Sequence, residues 1–277
     1  MDKSITSSGA VLSRLPLRVR FASFEPAYGL LGRLAVRHGY STSREFASEI
    51  SLGIRNFVHD VENGRCLAEL ALLTGIPEAV IRASTRYVDE SGAMFIGGEL
   101  LHARDDHKAS SAAGRVCPDC LRADLDEREG SMACRPHRRV WWDLTAVTAC
   151  PIHGALLIGT CRACGGRLSR ELASPRYCRC GCDLSELCSV ALEPSDLAAD
   201  RYLVGRLGGV ERSTHALLDS MPLHIAALAM IRIGRASLVG ARGLSKKGDR
   251  IEPAMQARMA SLGYRLSASP LDTDAYQ

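Results

Sequence analysis

Ten of the eleven cysteines in this 277-residue chain lie between positions 117 and 188, and most fall into close pairs. The pairs read Cys117-Pro-Asp-Cys120, Cys150-Pro-Ile-His153, Cys161-Arg-Ala-Cys164 and Cys178-Arg-Cys180, with Cys182 following. A gap of one or two residues lets a tight turn aim two side chains at one ion. Two such turns close a four-ligand structural zinc site. Four pairs therefore imply two zinc ions, and metal affinity on the order of 10 kcal/mol per site becomes folding free energy.

The alternatives to zinc fit less well. A disulfide framework belongs to small secreted chains, whereas Met1 to Arg20 contains no apolar core of signal-peptide length. A thioredoxin-like redox site needs one Cys-x-x-Cys near a βαβ pattern, not a ladder of pairs. An iron–sulfur cluster suits His153 less well than zinc does. The longest apolar run, Ile225 to Ile231, is too short to span a bilayer. The chain reads as cytoplasmic, where zinc thiolates persist and disulfides do not.

Composition is that of an ordinary globular protein, 46% hydrophobic and 24% charged, with a formal net charge of +4. That charge is a mild bias toward polyanions. Arginines gather around the metal region: Arg135, Arg138, Arg139, Arg162, Arg167, Arg170, Arg176 and Arg179. Their guanidinium forks suit phosphate or carboxylate partners, so most of them are candidate nucleic-acid or partner contacts.

The fold class expected is mainly α. Residues 1–15 form a flexible tail, 16–113 a helical domain, 114–188 the tandem zinc-finger region with short β hairpins, 189–268 a C-terminal helical region, and 269–277 a second tail. The first helix begins at Pro26, places Leu30, Leu31, Leu34, Ala35 and His38 on one face, and ends at Gly39. Thr42-x-x-Glu45 predicts a capping box for a second helix, with Phe46 and Ile50 inward and Gly53 after it. Further helices are expected over Ile54 to Val61, Cys66 to Leu73 and Pro77 to Arg86. Strands are not expected in this third, and 90–113 reads as a loose connection. Later helices are expected over Leu197 to Leu207, Thr214 to Arg235 with a start or kink at Pro222, and Pro253 to Leu262 with a stop at Gly263.

The stretch CLAELALLTGIPEAVIRAST has the spacing of a helix-turn-helix, with Gly75 supplying the turn and Pro77 starting the second helix. Glu78 near the leading end makes that helix a poor base reader, leaving Arg82 and Arg86 as its candidate contacts.

The simplest ligand sets are Cys117, Cys120, Cys150 and His153 for one ion, and Cys161, Cys164, Cys178 and Cys180 for the other. Gly165, Gly166 and Gly181 stand just after ligands, where a zinc knuckle turns its N–H groups toward sulfur. Cys134-x-x-His137 also has ligand spacing and competes with Cys150 and His153. Cys182 competes with Cys178 or Cys180. Cys66 and Cys188 read as ordinary buried cysteines, and Trp141 and Trp142 as a local core beside the first ion.

Catalytic metal is not expected. Four strong ligands leave no open position. No His-x-Glu precedes Cys117 as deaminase chemistry requires, and no His-Glu-x-x-His occurs. The basic stretch Gly243 to Gly248 lacks the ending of a Walker A loop.

Taken together, VCPDCLRAD, RRVWWDLTAVTACPIHGALL, CRACGGRL and CRCGCDL, preceded by FEPAYGLLGRLAVRHGYS, resemble the TniQ family of transposition proteins. The resemblance covers Leu17 to Leu184. It implies N-terminal helices with a helix-turn-helix, two zinc fingers and a further helical part. It also implies a non-catalytic target-selection adaptor, linking target DNA or a nucleic-acid-guided complex to an AAA+ ATPase regulator and the transposase. The family's ligand positions fall on Cys117, Cys120, Cys150, His153, Cys161, Cys164, Cys178 and Cys180, which favours Cys150 and His153 over Cys134 and His137. Self-association through the helical parts is a further expectation. The rival reading is a DNA-binding transcription regulator using the same helix-turn-helix and zinc fingers.

Overall fold

The structure, a computed structural model, describes residues 13–50, 56–102, 114–127, 129–239 and 251–268. The expected tails fall almost wholly outside these residues, as do Gly53, Ile54, residues 103–113 and the Gly243 to Gly248 stretch.

Among the described residues, five helices come first: α1 (Ala27–Arg37), α2 (Ser43–Glu49), α3 (Phe57–Glu62), α4 (Leu67–Thr74) and α5 (Glu78–Ala83). Apolar spacing on α1 buries Leu30, Leu31 and Leu34 against Phe46 of α2, Val61 of α3, Leu70 of α4 and Ile81 of α5. Each such side chain contributes about 1.5–3 kcal/mol by leaving water. The α2 capping box is complete. The Glu45 N–H donates to the Thr42 hydroxyl, and the Thr42 N–H donates to the Glu45 carboxylate, both at 3.2 Å.

Two expectations for this region need correction. The helix expected over Pro77 to Arg86 is only the six residues of α5. Gly75 does supply a left-handed turn between α4 and α5, at φ 74°. Arg86, however, lies beyond the helix, where its Nε donates to the Glu62 carbonyl at 3.0 Å. The geometry therefore does not identify a groove-reading helix-turn-helix. The second correction concerns strands. Residues 87–102 form an antiparallel sheet of β1 (Tyr87–Val88), β2 (Met94–Ile96) and β3 (Glu99–His102) in the order β1-β2-β3. Gly97 and Gly98, both at positive φ, make the two-residue turn between β2 and β3. A Gly-Gly pair between apolar runs is itself a hairpin signal. Ile96 and Leu101 carry that sheet into the core.

The cysteine-rich region contains α6 (Pro118–Asp126) and the hairpin β4 (Ala149–Cys150) to β5 (Ala155–Leu156). Three helices follow: α7 (Ala198–Arg206), α8 (Leu223–Val239) and α9 (Pro253–Ala268). Helix α8 begins immediately after Pro222, the expected start at that proline, and not as early as Thr214. Helix α9 continues past Gly263, where a stop was expected. Gly263 lies within the crossing with α8, and a Cβ there would clash with the Met230 carbonyl. Glycine at that position permits contact between backbones; it does not end the helix.

Trp141 and Trp142 do not form a core confined to one small module. A continuous apolar core joins them to Ile96 and Leu101 of the sheet and to Tyr202, Ala226 and Met230 of the last helices. Buried polar groups tie the same parts together. Arg115 donates to the carbonyls of Trp142 at 2.9 Å and Val147 at 2.6 Å. Asp200 on α7 accepts from the N–H groups of Thr148 and Ala149 at 2.7 and 3.2 Å. The N-terminal helices meet the metal region through Arg170, which pairs with Glu62 at 2.7 Å and Asp143 at 3.2 Å. The Tyr28 hydroxyl donates to Asp143 at 2.7 Å in the same cluster. Gly32 completes this junction, since a Cβ on it would lie 2.5 Å from the Ala173 carbonyl oxygen.

Candidate metal centres

The first centre is assembled from two short elements. Cys117 is the N-cap of α6, Pro118 occupies its first turn, and Cys120 follows on the same turn. Proline suits that position because the first helical N–H groups have no partner inside the helix. Cys150 ends β4 and His153 sits in the turn to β5. The Gly154 N–H closes that turn on the Cys150 carbonyl at 2.8 Å, with Gly154 at φ 63°.

The donor atoms match a tetrahedron around one ion. Sulfurs about 2.3 Å from a zinc ion stand about 3.8 Å apart, and a sulfur and an imidazole nitrogen about 3.6 Å apart. His153 Nδ1 lies 3.7 Å from Cys117 Sγ, 3.3 Å from Cys120 Sγ and 3.6 Å from Cys150 Sγ. Cys120 and Cys150 sulfurs are 3.5 Å apart. Hydrogen bonds from Cys117 and Cys150, with burial, push the Cys120 thiol up, while Cys150 is pushed down by its bonds to Cys117 and Cys120. Such a cluster holds protons that a cation would displace.

The second centre uses Cys161 and Cys164 from one knuckle and Cys178 and Cys180 from another. The sulfurs of Cys161 and Cys180 are 3.8 Å apart, as are those of Cys164 and Cys178. Gly165 and Gly181 take positive φ values of 69° and 85° directly after a ligand. The Gly166 N–H points at the Cys164 sulfur at 3.4 Å. The N–H of Cys164, aided by that of Ala163, holds the Cys161 thiol down at about 6 against burial. In each centre the four donor atoms lie within 4.8 Å of one another, so the two sets fit two metal ions.

The competing cysteines stand outside these groups of four. Cys134 is buried in a 3-10 turn, and the adjacent His137 ring faces the Arg135 carbonyl at 3.2 Å and Asp124 at 3.3 Å. Cys182 is half-buried beside the second centre, its thiol directed at the Asp183 carbonyl at 3.8 Å. Cys188 is exposed and Cys66 half-buried, so neither is the ordinary buried cysteine expected.

Residues 16–157 match the family description TniQ, a span that takes in all four ligands of the first centre. The chain belongs to the TniQ family. No curated protein matches it. In this TniQ protein the second centre, at 161–180, lies beyond the matched span.

Side chains around the TniQ centres were in part invisible to sequence reasoning. Asp124, on the helix that carries Cys117 and Cys120, accepts from both terminal nitrogens of Arg139 at 2.7 and 2.6 Å. Burial alone would raise its carboxyl; hydrogen bonds from His137 and Arg139 hold it below the usual range. No local pattern announces that pair, because its members are brought together only by folding. Arg138 is also internal, donating to the Ser169 carbonyl at 3.0 Å and lying over the Tyr28 ring. Arg176 is bound to Asp183 and Arg135 to the Leu125 carbonyl, at 2.7 and 2.8 Å. Arg82 pairs with Glu78, and Arg179 with Glu171, at the surface. Arg162 and Arg167 are exposed, with no ion-pair partner among the described residues. Among those residues, no helix is long and apolar enough to cross a membrane.

Proposed function

We propose that this TniQ protein is a non-catalytic adaptor in DNA transposition. It joins target DNA, or a complex that recognises the target, to an AAA+ ATPase regulator and through it to the transposase. The family match over 16–157 carries this reading. The chemistry of the two centres supports it. Zinc bound by three thiolates and an imidazole, or by four thiolates, has no position left for a substrate. Zinc there would fix the turns that bear the ligands, and the protein's work would be positional.

Asp124 and Asp200 support the same reading from outside the ligand sets. One ties the Cys117–Cys120 helix to Arg139, and the other ties the Cys150 strand to α7. A ligand turn held by buried carboxylates is suited to presenting a rigid surface to partners.

The test is co-purification of the full zinc-loaded chain with an AAA+ ATPase transposition regulator from the same source, with and without DNA. A stable complex is expected. Failure to form one under either condition, together with tight sequence-specific DNA binding by the chain alone, would replace the adaptor with a transcription regulator.

A further inference from the structure

A groove of about 800 Å³ runs between segment 18–24, helix α1 and the segment that leads from α6 to Arg139. Among the described residues, six arginines line it, against the carboxylates of Glu127 and Glu129. Two of the six are already neutralised inside the wall, Arg33 by Glu25 at 2.7 Å and Arg139 by Asp124 at 2.6 Å. Arg135 is anchored only to backbone carbonyls, those of Leu125 and Gly130, which orient its fork without cancelling its charge. Arg18 and Arg37 are exposed and have no carboxylate partner among the described residues. Arg20 pairs with Glu129, but the two side chains are 82% and 75% exposed, so water and salt weaken that contact.

We propose that this groove binds the phosphodiester backbone of nucleic acid through Arg18, Arg20, Arg37 and Arg135. The inference rests on the adaptor reading and gives that reading a place of contact. It differs from the arginines that cluster around the second metal centre, since Arg18, Arg20 and Arg37 come from the N-terminal segment and α1.

The composition of the groove separates this ligand from an acidic protein. Protein interfaces concentrate apolar side chains at their centre and deplete charge there. Nucleic-acid interfaces are polar and strongly positive. Of the groove's large apolar residues, Trp141 is buried, Val19, Phe21 and Phe24 are half-buried, and Ile152 is exposed. Arg18, Arg20 and Arg37 face solvent, and their forked N–H groups match phosphate oxygens. The wall is also stiff. Arg33 spans the Arg20 carbonyl at 3.0 Å and the Cys134 carbonyl at 2.6 Å, joining the two sides of the groove beneath the free arginines.

The experiment measures binding of the full zinc-loaded chain to labelled duplex DNA and to single-stranded RNA of equal length, by anisotropy over a salt series. A poly-glutamate peptide is the third probe. Arg18→Ala with Arg37→Ala removes two charges from the groove; Arg201→Ala with Arg258→Ala removes two exposed charges elsewhere, on α7 and α9. The first double variant should lose about tenfold or more in affinity and lower the salt slope by about two, because each lost phosphate contact carries close to one released counterion. The second should stay near wild type. Zinc content and circular dichroism show that both variants fold.

Relative affinity for DNA and RNA identifies which backbone the groove prefers, and either supports the assignment. Wild-type binding to neither, binding to poly-glutamate alone, or an unchanged Arg18→Ala/Arg37→Ala double variant overturns it. ATPase complex formation without DNA would leave the adaptor reading standing even then.

Discussion

Gly234 of α8 and Gly263 of α9 face each other where the two helices cross, each lying against the other's backbone. A Cβ on Gly234 would come 2.7 Å from the Met259 carbonyl carbon, and one on Gly263 would come 2.7 Å from that of Met230. Alanine raises intrinsic helix propensity by about 1 kcal/mol over glycine. Here the clash is with backbone, which cannot swing aside, so overpacking wins. Gly263→Ala should lower stability by about 1–3 kcal/mol, read as a lower urea midpoint at unchanged slope. A variant as stable as the wild type would show that the helices do not cross this closely.

The two metal centres should respond differently to loss of a ligand. Cys180 is exposed, whereas Cys120 is fully buried beside the tryptophan core. Cys180→Ser should therefore release one of two zinc equivalents and leave most of the circular dichroism signal. Cys120→Ser should lose zinc and much of the tertiary structure together. Metal analysis with near-ultraviolet dichroism on both variants is the check, and retention of two zinc ions by either would refute the ligand assignment.

Asp200 makes stability depend on pH. Burial pushes its carboxyl up to about 7 despite the Ala149 and Thr148 N–H groups it accepts from. In the unfolded chain the group titrates near about 3.9, so between about pH 4 and pH 7 the folded state holds the extra proton. Its contribution to stability is therefore largest at the acid end and falls as pH rises through that window. Asp200→Asn keeps an acceptor for both N–H groups and cannot ionise. Subtracting its urea stability from the wild type's should leave a negative slope with pH, amounting to a few kcal/mol in all, on the order of 1.4 per unit of pKa difference. A flat difference would count against a buried, raised Asp200.

The Asp124–Arg139 pair carries a different expectation. Removing the carboxylate with Asp124→Ala leaves a buried guanidinium whose charge has no partner, at a cost of about 3–5 kcal/mol. Because Asp124 sits on α6 behind Cys117 and Cys120, zinc affinity of the first centre should fall as well. Competition with a chromophoric chelator measures that loss. Unaltered stability and metal affinity would mean that the pair does not hold the helix in place.

Much of the metal-bearing architecture was legible from local chemistry. Cys-x-x-Cys spacing, the glycines after Cys164 and Cys180, and the Thr42–Glu45 cap all depend on neighbours within a few residues. The short sheet at 87–102 reads from sequence as a loose connection, because Gly97-Gly98 is its single local mark and its strands are too brief for alternation to stand out. An isolated glycine such as Gly263 reads the same in sequence whether it ends a helix or lets another helix approach, so the extent of α9 depends on its crossing with α8. The arginines shared one composition signal, and their separate fates depended on distant carboxylates such as Asp124, Asp143 and Glu62.

Sequence alone therefore determined which residues could share an ion, since a tight turn is a local object and zinc accepts few donor sets. It also carried the family resemblance. Tertiary structure decided which of the competing cysteines meet, bringing Cys120 within 3.5 Å of Cys150 while turning Cys134 and His137 elsewhere. It likewise joined the tryptophans to the C-terminal helices in a continuous core. The physical reason is range. Turn geometry is set over a few bonds, whereas burial, charge pairing and backbone contact depend on segments as far apart in the chain as Arg170 and Glu62.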